Sequence, residues 1–376
     1  MPQIKLSIAT NYVPGWGIPE AARELFQNMW DKQAVDPENT ASVKYDAETQ
    51  QLILSNKKSV LERKTLLMGS TTKLADDRTI GQFGEGYKLA LLVFTRMKRP
   101  VTIFNYGAKE TWTSKIVHRR DLGADVLAVD IKKHIFIDVP DNNLTFVVDG
   151  ITAEDWEKIK TSNLHLREVG ETIVTNRGRI LLDEKENGNI YVSGLFISHV
   201  KGLENGYDFL PKNIVLGRDR SMIKEFDIKW ECAQFWQCAR AAETRLAGMI
   251  EKGAPDVDFY CSIGAQNPAA ENIVVSNFQA QHGLSAWPVN NEVESKQARS
   301  SGLKPVVVNE VQKQVILRNE NFKTSGPILK VAKPEDYLIR FFDQYSPELD
   351  GLPQEFQFAM KELIEHSRNW MVKDGF

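Results

Sequence analysis

Three polar residues, Glu24, Asn28 and Asp31, are spaced four and three positions apart in a run that predicts a helix. Their side chains therefore project from one face of that helix. A carboxylate beside an amide suits the hydrolysis of a metal-bound nucleotide. The amide oxygen can bind Mg²⁺ alongside phosphate oxygens, and the carboxylate can deprotonate an attacking water. Taken alone, the same spacing is typical of a solvated helix face.

A glycine-rich segment at residues 81–88, Gly-Gln-Phe-Gly-Glu-Gly-Tyr-Lys, is the second feature with chemical meaning. Glycine permits a close approach of the backbone and positive φ angles. The apolar run at 89–94 predicts a helix directly after the loop, and a helix N-terminus offers unpaired N–H groups and a positive dipole end. Such a loop suits a phosphate chain, although glycine turns before helices are also common as purely structural features.

Together these segments resemble the motifs of the GHKL, or Bergerat-fold, ATPases, which include gyrase B subunits, MutL proteins, heat-shock-ninety chaperones, MORC ATPases and sensor histidine kinases. Residues 24–31, Glu-Leu-Phe-Gln-Asn-Met-Trp-Asp, resemble the N box. Residues 80–88 resemble the glycine box, and the likeness is greatest to the chaperone, MORC and MutL branches. Residues 67–73, between the two boxes, resemble the Ser/Thr-Lys segment of the ATP lid.

The resemblance implies a role for each matching residue. Asn28 is similar to the Mg²⁺ ligand of the family and Glu24 to its general base. Gly81, Gly84 and Gly86 resemble the turn that cradles the phosphates of ATP. Further nucleotide contacts are implied for Asp31, Phe83, Glu85 and Tyr87, for Lys73 or Lys88, either of which could equally be a surface lysine, and for Thr145, which could equally be an ordinary sheet threonine.

One departure from the family pattern concerns the base of the nucleotide. The family normally carries Asp-x-Gly-x-Gly after the second strand pair, whereas residues 54–60 here contain neither aspartate nor glycine. Asn56 is the best positional equivalent. Its side-chain oxygen can accept a hydrogen bond from an amino group, but its amide nitrogen adds donors that aspartate lacks. The base selectivity of the pocket is therefore left open.

A second region resembles the chaperone middle domain, in which a proline-containing loop leads to an arginine before a helix. Here residues 208–222 carry Arg220, which aligns best with that arginine, and Arg218 is the runner-up. A guanidinium stays charged and binds phosphate oxygens in a fork. A surface ion pair centred on Asp219 is the alternative explanation for this arginine-rich segment.

Size and composition predict a globular protein of more than one domain, and the mixture of strand-rich and helix-rich segments predicts an α+β fold. The chain has 376 residues, of which 42% are hydrophobic and 26% charged, with a formal net charge of −3. The resemblance implies a Bergerat-type α/β sandwich at residues 1–162 and a transducer-like, ribosomal S5-like α+β domain at 163–253. Residues 254–376 form a small C-terminal α/β region, which from its position we expect to serve dimerisation or partner binding.

The pattern of apolar residues also predicts individual elements. Strands are expected at 4–9, 42–46, 51–55, 101–106, 111–117, 134–139, 144–148, 171–175, 178–183, 189–197 and 305–308. Helices are expected from Pro19 to Asp31 and at 61–68, 86–97, 153–160, 226–251, 292–300 and 353–372, and residues 201–211 are expected to form a loop.

The function predicted from these features is Mg²⁺-dependent binding and slow hydrolysis of ATP, coupled to closure of the lid at 69–79. A nucleotide-gated binding or assembly module with negligible hydrolysis is the alternative, and a phosphotransferase is a third. Besides the nucleotide, a homodimer is one expected assembly, and no protein or DNA client is indicated. No apolar run approaches the length of a membrane span, and the three cysteines suit a reducing compartment, so we expect a cytoplasmic protein.

Overall fold

The computed structural model describes residues 3–67, 85–133, 143–214, 225–240, 242–263 and 267–325, together with Phe358. The chain divides into two compact units. Residues 1–277 with 309–319 form the first unit, and residues 278–308 with 320–376 form the second. The domain boundaries at 162/163 and 253/254 remain predictions. The predicted strand at 134–139 and the predicted helix at 353–372 lie outside the described residues, apart from Phe358.

The first unit begins with a seven-stranded sheet. Its strands are β1 (Gln3–Ala9), β2 (Ala41–Asp46), β3 (Gln51–Asn56), β4 (Val101–Asn105), β5 (Glu110–Arg119), β6 (Ala124–Lys133) and β7 (Leu144–Val148). They follow the order β1-β6-β5-β4-β7-β3-β2, and every neighbouring pair is antiparallel. The sequence patterns predicted all of these strands except β6.

Three helices, α1 (Ile18–Val35), α2 (Gly86–Arg96) and α3 (Ala153–Thr161), pack with this sheet in one apolar core. Leu25 of α1 and Leu91 of α2 are buried beside Leu54 and Trp112 of the sheet. The helix predicted at 61–68 is wrong in type, since residues Arg63–Leu66 form a single short 3-10 helix. A run of four residues cannot sustain an α-helix without further packing.

Arg96, at the end of α2, holds the loop that leads into α1. Its guanidinium donates to four backbone carbonyl oxygens, those of Thr10, Tyr12, Val13 and Trp16, at 2.9–3.3 Å. Because four otherwise independent carbonyls share one cation, the path of this loop is fixed before α1 begins.

A five-stranded sheet follows in the same unit. Its strands are β8 (Thr172–Thr175), β9 (Gly178–Leu181), β10 (Asn189–Val192), β11 (Leu195–His199) and β12 (Gly206–Phe209). The order is β11-β10-β12-β9-β8, with β10 and β12 parallel and the other pairs antiparallel. The single strand predicted at 189–197 is wrong, because a turn at Ser193 and Gly194, both with positive φ, folds it into a hairpin. The predicted loop at 201–211 contains β12.

Helices α4 (Glu225–Cys238), α5 (Glu243–Lys252) and α6 (Pro268–His282) come next. The one helix predicted at 226–251 is therefore two helices. A buried polar network lies between α4, the second sheet and the 3-10 helix Pro255–Val257. Tyr207 donates to Asp256 at 2.5 Å, Trp236 donates to the Tyr207 hydroxyl at 2.8 Å, and Asn205 donates to Asp256 at 2.9 Å.

The second compact unit contains strands β13 (Ala286–Val289) and β14 (Lys304–Val307), which pair in parallel and are connected through helix α7 (Glu292–Ser300). Asn291 caps α7 by accepting a hydrogen bond from the Glu294 N–H. Helix α8 (Glu310–Arg318) belongs to the first unit. This β-α-β arrangement agrees with the predicted helix at 292–300 and strand at 305–308.

The prediction of a mixed α+β fold is confirmed, and the two larger sheets are largely antiparallel. In the part of the chain that the structure describes, no helix is both long and apolar enough to cross a membrane. Within the same residues, no group of three or more histidine, cysteine, aspartate or glutamate side chains is placed to hold a metal ion.

Candidate functional site

Helix α1 carries the predicted catalytic side chains and is buried on all sides at its centre. Pro19 occupies the first turn, and the Glu20 carboxylate accepts a hydrogen bond from the Gly17 N–H at 2.8 Å, which starts the helix. Seven consecutive residues, from Ala21 to Gln27, are buried. A helix packed only on a sheet would leave about half of these exposed, so its polar face is covered too.

Glu24 lies on this covered polar face and is 1% exposed. It forms an ion pair with Arg23, whose Nη2 lies 3.5 Å from Glu24 Oε1, and both side chains are buried. Arg23 in turn lies over the Trp16 ring, 5.4 Å from its centroid. Burial and the ion pair together restrict the orientation of the Glu24 carboxylate.

Asn28 and Asp31 continue the same face of α1. The Asn28 side-chain nitrogen donates to the Glu24 backbone carbonyl at 2.8 Å. This bond directs the amide nitrogen to the helix backbone, so the amide oxygen, the atom that Mg²⁺ prefers, is on the opposite branch of the amide. Asp31 is buried one turn from Gln27. The structure therefore places Glu24, Asn28 and Asp31 together, as their spacing predicted.

Asn56, at the end of β3, is joined to the same helix. Its side-chain nitrogen donates to the backbone carbonyls of Met29 and Asn39, each at 3.2 Å, and the residue is buried. Asn56 thus lies beside the residue that follows Asn28. Because its nitrogen is directed to backbone oxygens, its side-chain oxygen is the atom that a base amino group would meet.

Thr145 does not join this group. It lies on β7 directly opposite Ser55, and the two hydroxyl oxygens are 2.8 Å apart. Successive residues of a strand face opposite sides of the sheet. Asn56, the residue after Ser55, therefore lies on the other side from Thr145, with Leu54 and the helices.

The end of the glycine box that the structure describes begins α2. Glu85 precedes the helix and is buried, and Gly86 is its first residue. Tyr87 shares a hydrogen bond of 2.9 Å with the Thr65 hydroxyl, and burial raises the pKa of this tyrosine above its ordinary value. These contacts join the start of α2 to the 3-10 helix that precedes the predicted lid.

Lys88 also connects α2 to the residues in and directly after that 3-10 helix. Its ammonium donates to the backbone carbonyls of Thr65 and Leu67, at 2.9 and 2.6 Å. Burial lowers the pKa of Lys88, and the nearby Glu85 opposes this shift. Two of the three ammonium donors are therefore directed to the backbone just before the predicted lid.

Two further attachments hold the residues before the predicted lid, and no local sequence pattern indicated them. Asn105, fully buried at the end of β4, donates to the Leu61 carbonyl at 2.7 Å and accepts from its N–H at 3.3 Å. Arg63 donates to Glu110, which also accepts from the Trp112 indole. The residues before the predicted lid are thus fixed to the sheet.

Gln27 is a polar residue of α1 that the motifs did not single out. It is 1% exposed, and neither atom of its amide has a hydrogen-bond partner among the described residues. A signal for it existed in the sequence, because positions three after Glu24 and four before Asp31 share their helix face.

The covered face of α1 also meets the region of the second sheet. Arg23 Nη1 lies 3.5 Å from the Phe196 carbonyl of β11. The Trp30 ring lies 5.0 Å, centroid to centroid, from the His165 ring, and His165 is hydrogen-bonded to the Ser193 carbonyl at 2.8 Å. The helix with the predicted catalytic residues therefore contacts both structural regions of the first unit.

Several predicted residues lie outside the described part of the chain. These are Lys73, Gly81, Phe83, Gly84, Arg218 and Arg220. Their roles remain predictions.

No family model matches the sequence, and no curated protein matches it. Among solved structures, the ATPase region of Saccharomyces cerevisiae topoisomerase II is similar over 47% of this chain and 61% of its own, with a TM-score of 0.31 and 11% identity. The same region bound to ICRF-187 (dexrazoxane) gives a TM-score of 0.32 and 10% identity over 47% of this chain and 62% of its own.

The ATPase and transducer domains of DNA topoisomerase II from Balamuthia mandrillaris are similar over 64% of this chain and 69% of their own, with a TM-score of 0.31 and 13% identity. The chain thus spans somewhat less than two thirds of the two yeast structures.

Proposed function

We propose that this chain is a GHKL-type ATPase that binds ATP with Mg²⁺ and hydrolyses it slowly. The observation that supports this most directly is the covered polar face of α1, on which Glu24, Asn28 and Asp31 lie together. Ionisable side chains gathered on a buried face are candidates for a functional site. The motif resemblance identifies the class of ligand.

In the proposed reaction each residue has a separate task. Asn28 would hold Mg²⁺ through its side-chain oxygen, and the ion would supply positive charge beside the phosphates. Glu24 accepts a proton from the attacking water, and the N-terminal amides of α2 bind phosphate oxygens. Asn56 contacts the base. Arg220 from the transducer-like domain contacts the γ-phosphate when the lid at 69–79 closes, and two copies of the chain form a dimer around the closed state.

One nucleotide-binding panel on the full chain tests the proposed phosphate-binding and base-binding residues together. We expect ATP to bind with Mg²⁺ and more weakly without it, and a comparison with GTP and CTP measures the selectivity that Asn56 confers. Glu24→Gln should retain ATP binding and lose at least about 100-fold in hydrolysis, since general-base catalysis contributes about that much or more. Equal rates of hydrolysis by wild type and Glu24→Gln would contradict the proposal that Glu24 is the general base.

A nucleotide-gated assembly module is the second candidate, and the ion pair between Arg23 and Glu24 favours it. The Glu24 carboxylate is already engaged with a guanidinium, since Arg23 Nη2 lies 3.5 Å from Glu24 Oε1. In this case ATP would drive assembly with negligible turnover. Phosphate release measured beside ATP-dependent sedimentation separates the two functions.

A further inference from the structure

Gln27 is a buried amide without an assigned purpose in the fold. It lies at the centre of α1 and is 1% exposed. Both its Nε2 and its Oε1 are shielded from solvent and have no hydrogen-bond partner among the described residues. Most buried polar side-chain atoms in native proteins have at least one partner, so a side chain with two unpaired atoms is unusual.

Leaving both ends of an amide unpaired is costly. A buried donor or acceptor without a partner costs about 1–3 kcal/mol of stability. A methionine at this position would have a similar length and no such cost. The presence of a glutamine at this buried position therefore points to a bound molecule. That molecule would accept a hydrogen bond from Nε2 and donate one to Oε1.

The position of Gln27 on α1 indicates where such a molecule would bind. Gln27 follows Glu24 by three residues and precedes Asp31 by four, so the three side chains form one stripe on the covered polar face. Arg23 and Trp30 flank this stripe of side chains on α1. Arg23 contacts Phe196, and Trp30 contacts His165. Gln27 is thus next to the predicted general base and under the cover that separates that base from solvent.

We propose that Gln27 is a further catalytic residue, which holds the attacking water against Glu24 and the γ-phosphate. This inference depends on the ATP hydrolysis proposed above. Gln27 Oε1 accepts one O–H of the water and Glu24 accepts the other, while Gln27 Nε2 donates to a γ-phosphate oxygen. A glutamine that orients the attacking water is an effective solution in other phosphoryl-transfer enzymes.

The step balances without any further reactant. The water oxygen forms a bond to the γ-phosphorus, and the bond between that phosphorus and the bridging oxygen of ADP breaks. The water proton passes to Glu24, the bonding electrons leave with ADP, and inorganic phosphate is the second product. Gln27 exchanges no proton and acts only by hydrogen bonding.

The test is the Gln27→Met variant of the full chain, with Gln33→Met as its matched control. Gln33 lies on the same helix, but its Oε1 accepts a hydrogen bond of 2.7 Å from the Ala41 N–H. Measurements are ATP affinity in Mg²⁺, kcat and KM for phosphate release, and the melting temperature without nucleotide.

We expect opposite patterns from the two variants. Gln27→Met should lower kcat by about 100-fold, the typical effect of removing one pre-positioned hydrogen-bonding group, with ATP affinity retained and the melting temperature raised. Gln33→Met should lower the melting temperature and retain kcat.

Three results would overturn the inference. If the wild type is active and Gln27→Met has an unchanged kcat, Gln27 has no catalytic role, while the proposed ATP hydrolysis stands. A melting temperature that falls together with kcat shows that Gln27 has a protein partner and a structural role. A wild type that binds ATP without hydrolysing it removes the hydrolytic function and this inference together.

Discussion

The ammonium of Lys88 lies 2.6 Å from the backbone carbonyl oxygen of Leu67 and donates a hydrogen bond to it from a side chain with no exposed surface. A second bond to Thr65 is 2.9 Å long. A lysine next to a glycine loop is an obvious candidate for a phosphate contact, yet here it connects two segments of the backbone. The cation thus stabilises the residues that precede the predicted lid.

This geometry predicts different results for Lys88→Met and Lys73→Met. Lys88→Met removes two hydrogen bonds from a charged donor and should lower the free energy of unfolding by about 3 kcal/mol, with ATP affinity of the folded protein retained. Lys73→Met should weaken ATP binding and leave stability unchanged. Urea denaturation and nucleotide titration of both variants provide the measurements, and a loss of affinity confined to Lys88→Met would contradict the prediction.

Asn28→Ala tests the proposed metal ligand. Loss of one oxygen ligand should weaken ATP binding about 10- to 100-fold in Mg²⁺, which corresponds to about 1.4–2.8 kcal/mol. Without Mg²⁺ the variant and wild type should bind ATP equally, because the side-chain nitrogen of Asn28 is directed to the Glu24 carbonyl. Equal losses under both conditions, measured by calorimetry, would show that Asn28 contacts the nucleotide directly or supports the helix.

Replacing either of two glycines with alanine should change the stability of the protein, with opposite signs at the two positions. Gly178 in β9 has φ of +135°, and a Cβ there would lie 2.0 Å from the Asp208 backbone oxygen. Gly178→Ala should therefore destabilise the protein by about 4 kcal/mol or more. Gly248 lies within α5, where a Cβ meets nothing within 4 Å, so Gly248→Ala should stabilise by about 0.5–1 kcal/mol. Denaturant unfolding measures both changes. If the free energy of unfolding changed in the same direction in the two variants, the result would contradict this structure.

The buried carboxyl of Asp256 should make the stability of the protein depend on pH. Burial raises the pKa of its carboxyl above the ordinary value of 3.8, against hydrogen bonds from Tyr207 and Asn205. The folded protein therefore binds this proton more tightly than the unfolded chain does. Its favourable contribution is complete below about pH 3.8 and is lost as the pH rises through the raised pKa.

Asp256→Asn removes this titration. The stability of wild type relative to the variant should fall as the pH rises from about 4 towards 8, as measured by urea denaturation at each pH. The neighbouring Tyr207 and Cys232 stay neutral throughout, because burial raises both of their pKa values. A stability difference that did not change with pH would show that the carboxyl titrates normally.

Local pattern was sufficient for the elements that position the site. Helix α1 has Pro19 in its first turn and an apolar stripe that includes Leu25 and Met29, and both features are encoded within the segment itself. The spacing of Glu24 and Asn28 placed them correctly on one face. The sequence could not show that this face is covered, since its cover comes from residues such as Phe196, which are distant in the chain.

Elements that depend on their neighbours were not predictable in the same way. Strand β12 has four residues and forms because β9 and β10 pair with it on both sides. Helix α4 ends at Cys238 and α5 begins at Glu243, and the sequence between them contains no glycine or proline. Thr145 matched a strand motif, but only the register of β7 against β3 reveals which side of the sheet it occupies.

The uninterrupted burial of Ala21 to Gln27 has a consequence for how variation is tolerated in this protein. Most helices have a side on which a library of random substitutions survives selection, and α7, with burial only at Ser295 and Ala298, is such a helix. The centre of α1 has no permissive side. In a saturation screen for folded protein, these seven consecutive positions should form a continuous block of intolerance, without the periodic gaps of an ordinary surface helix.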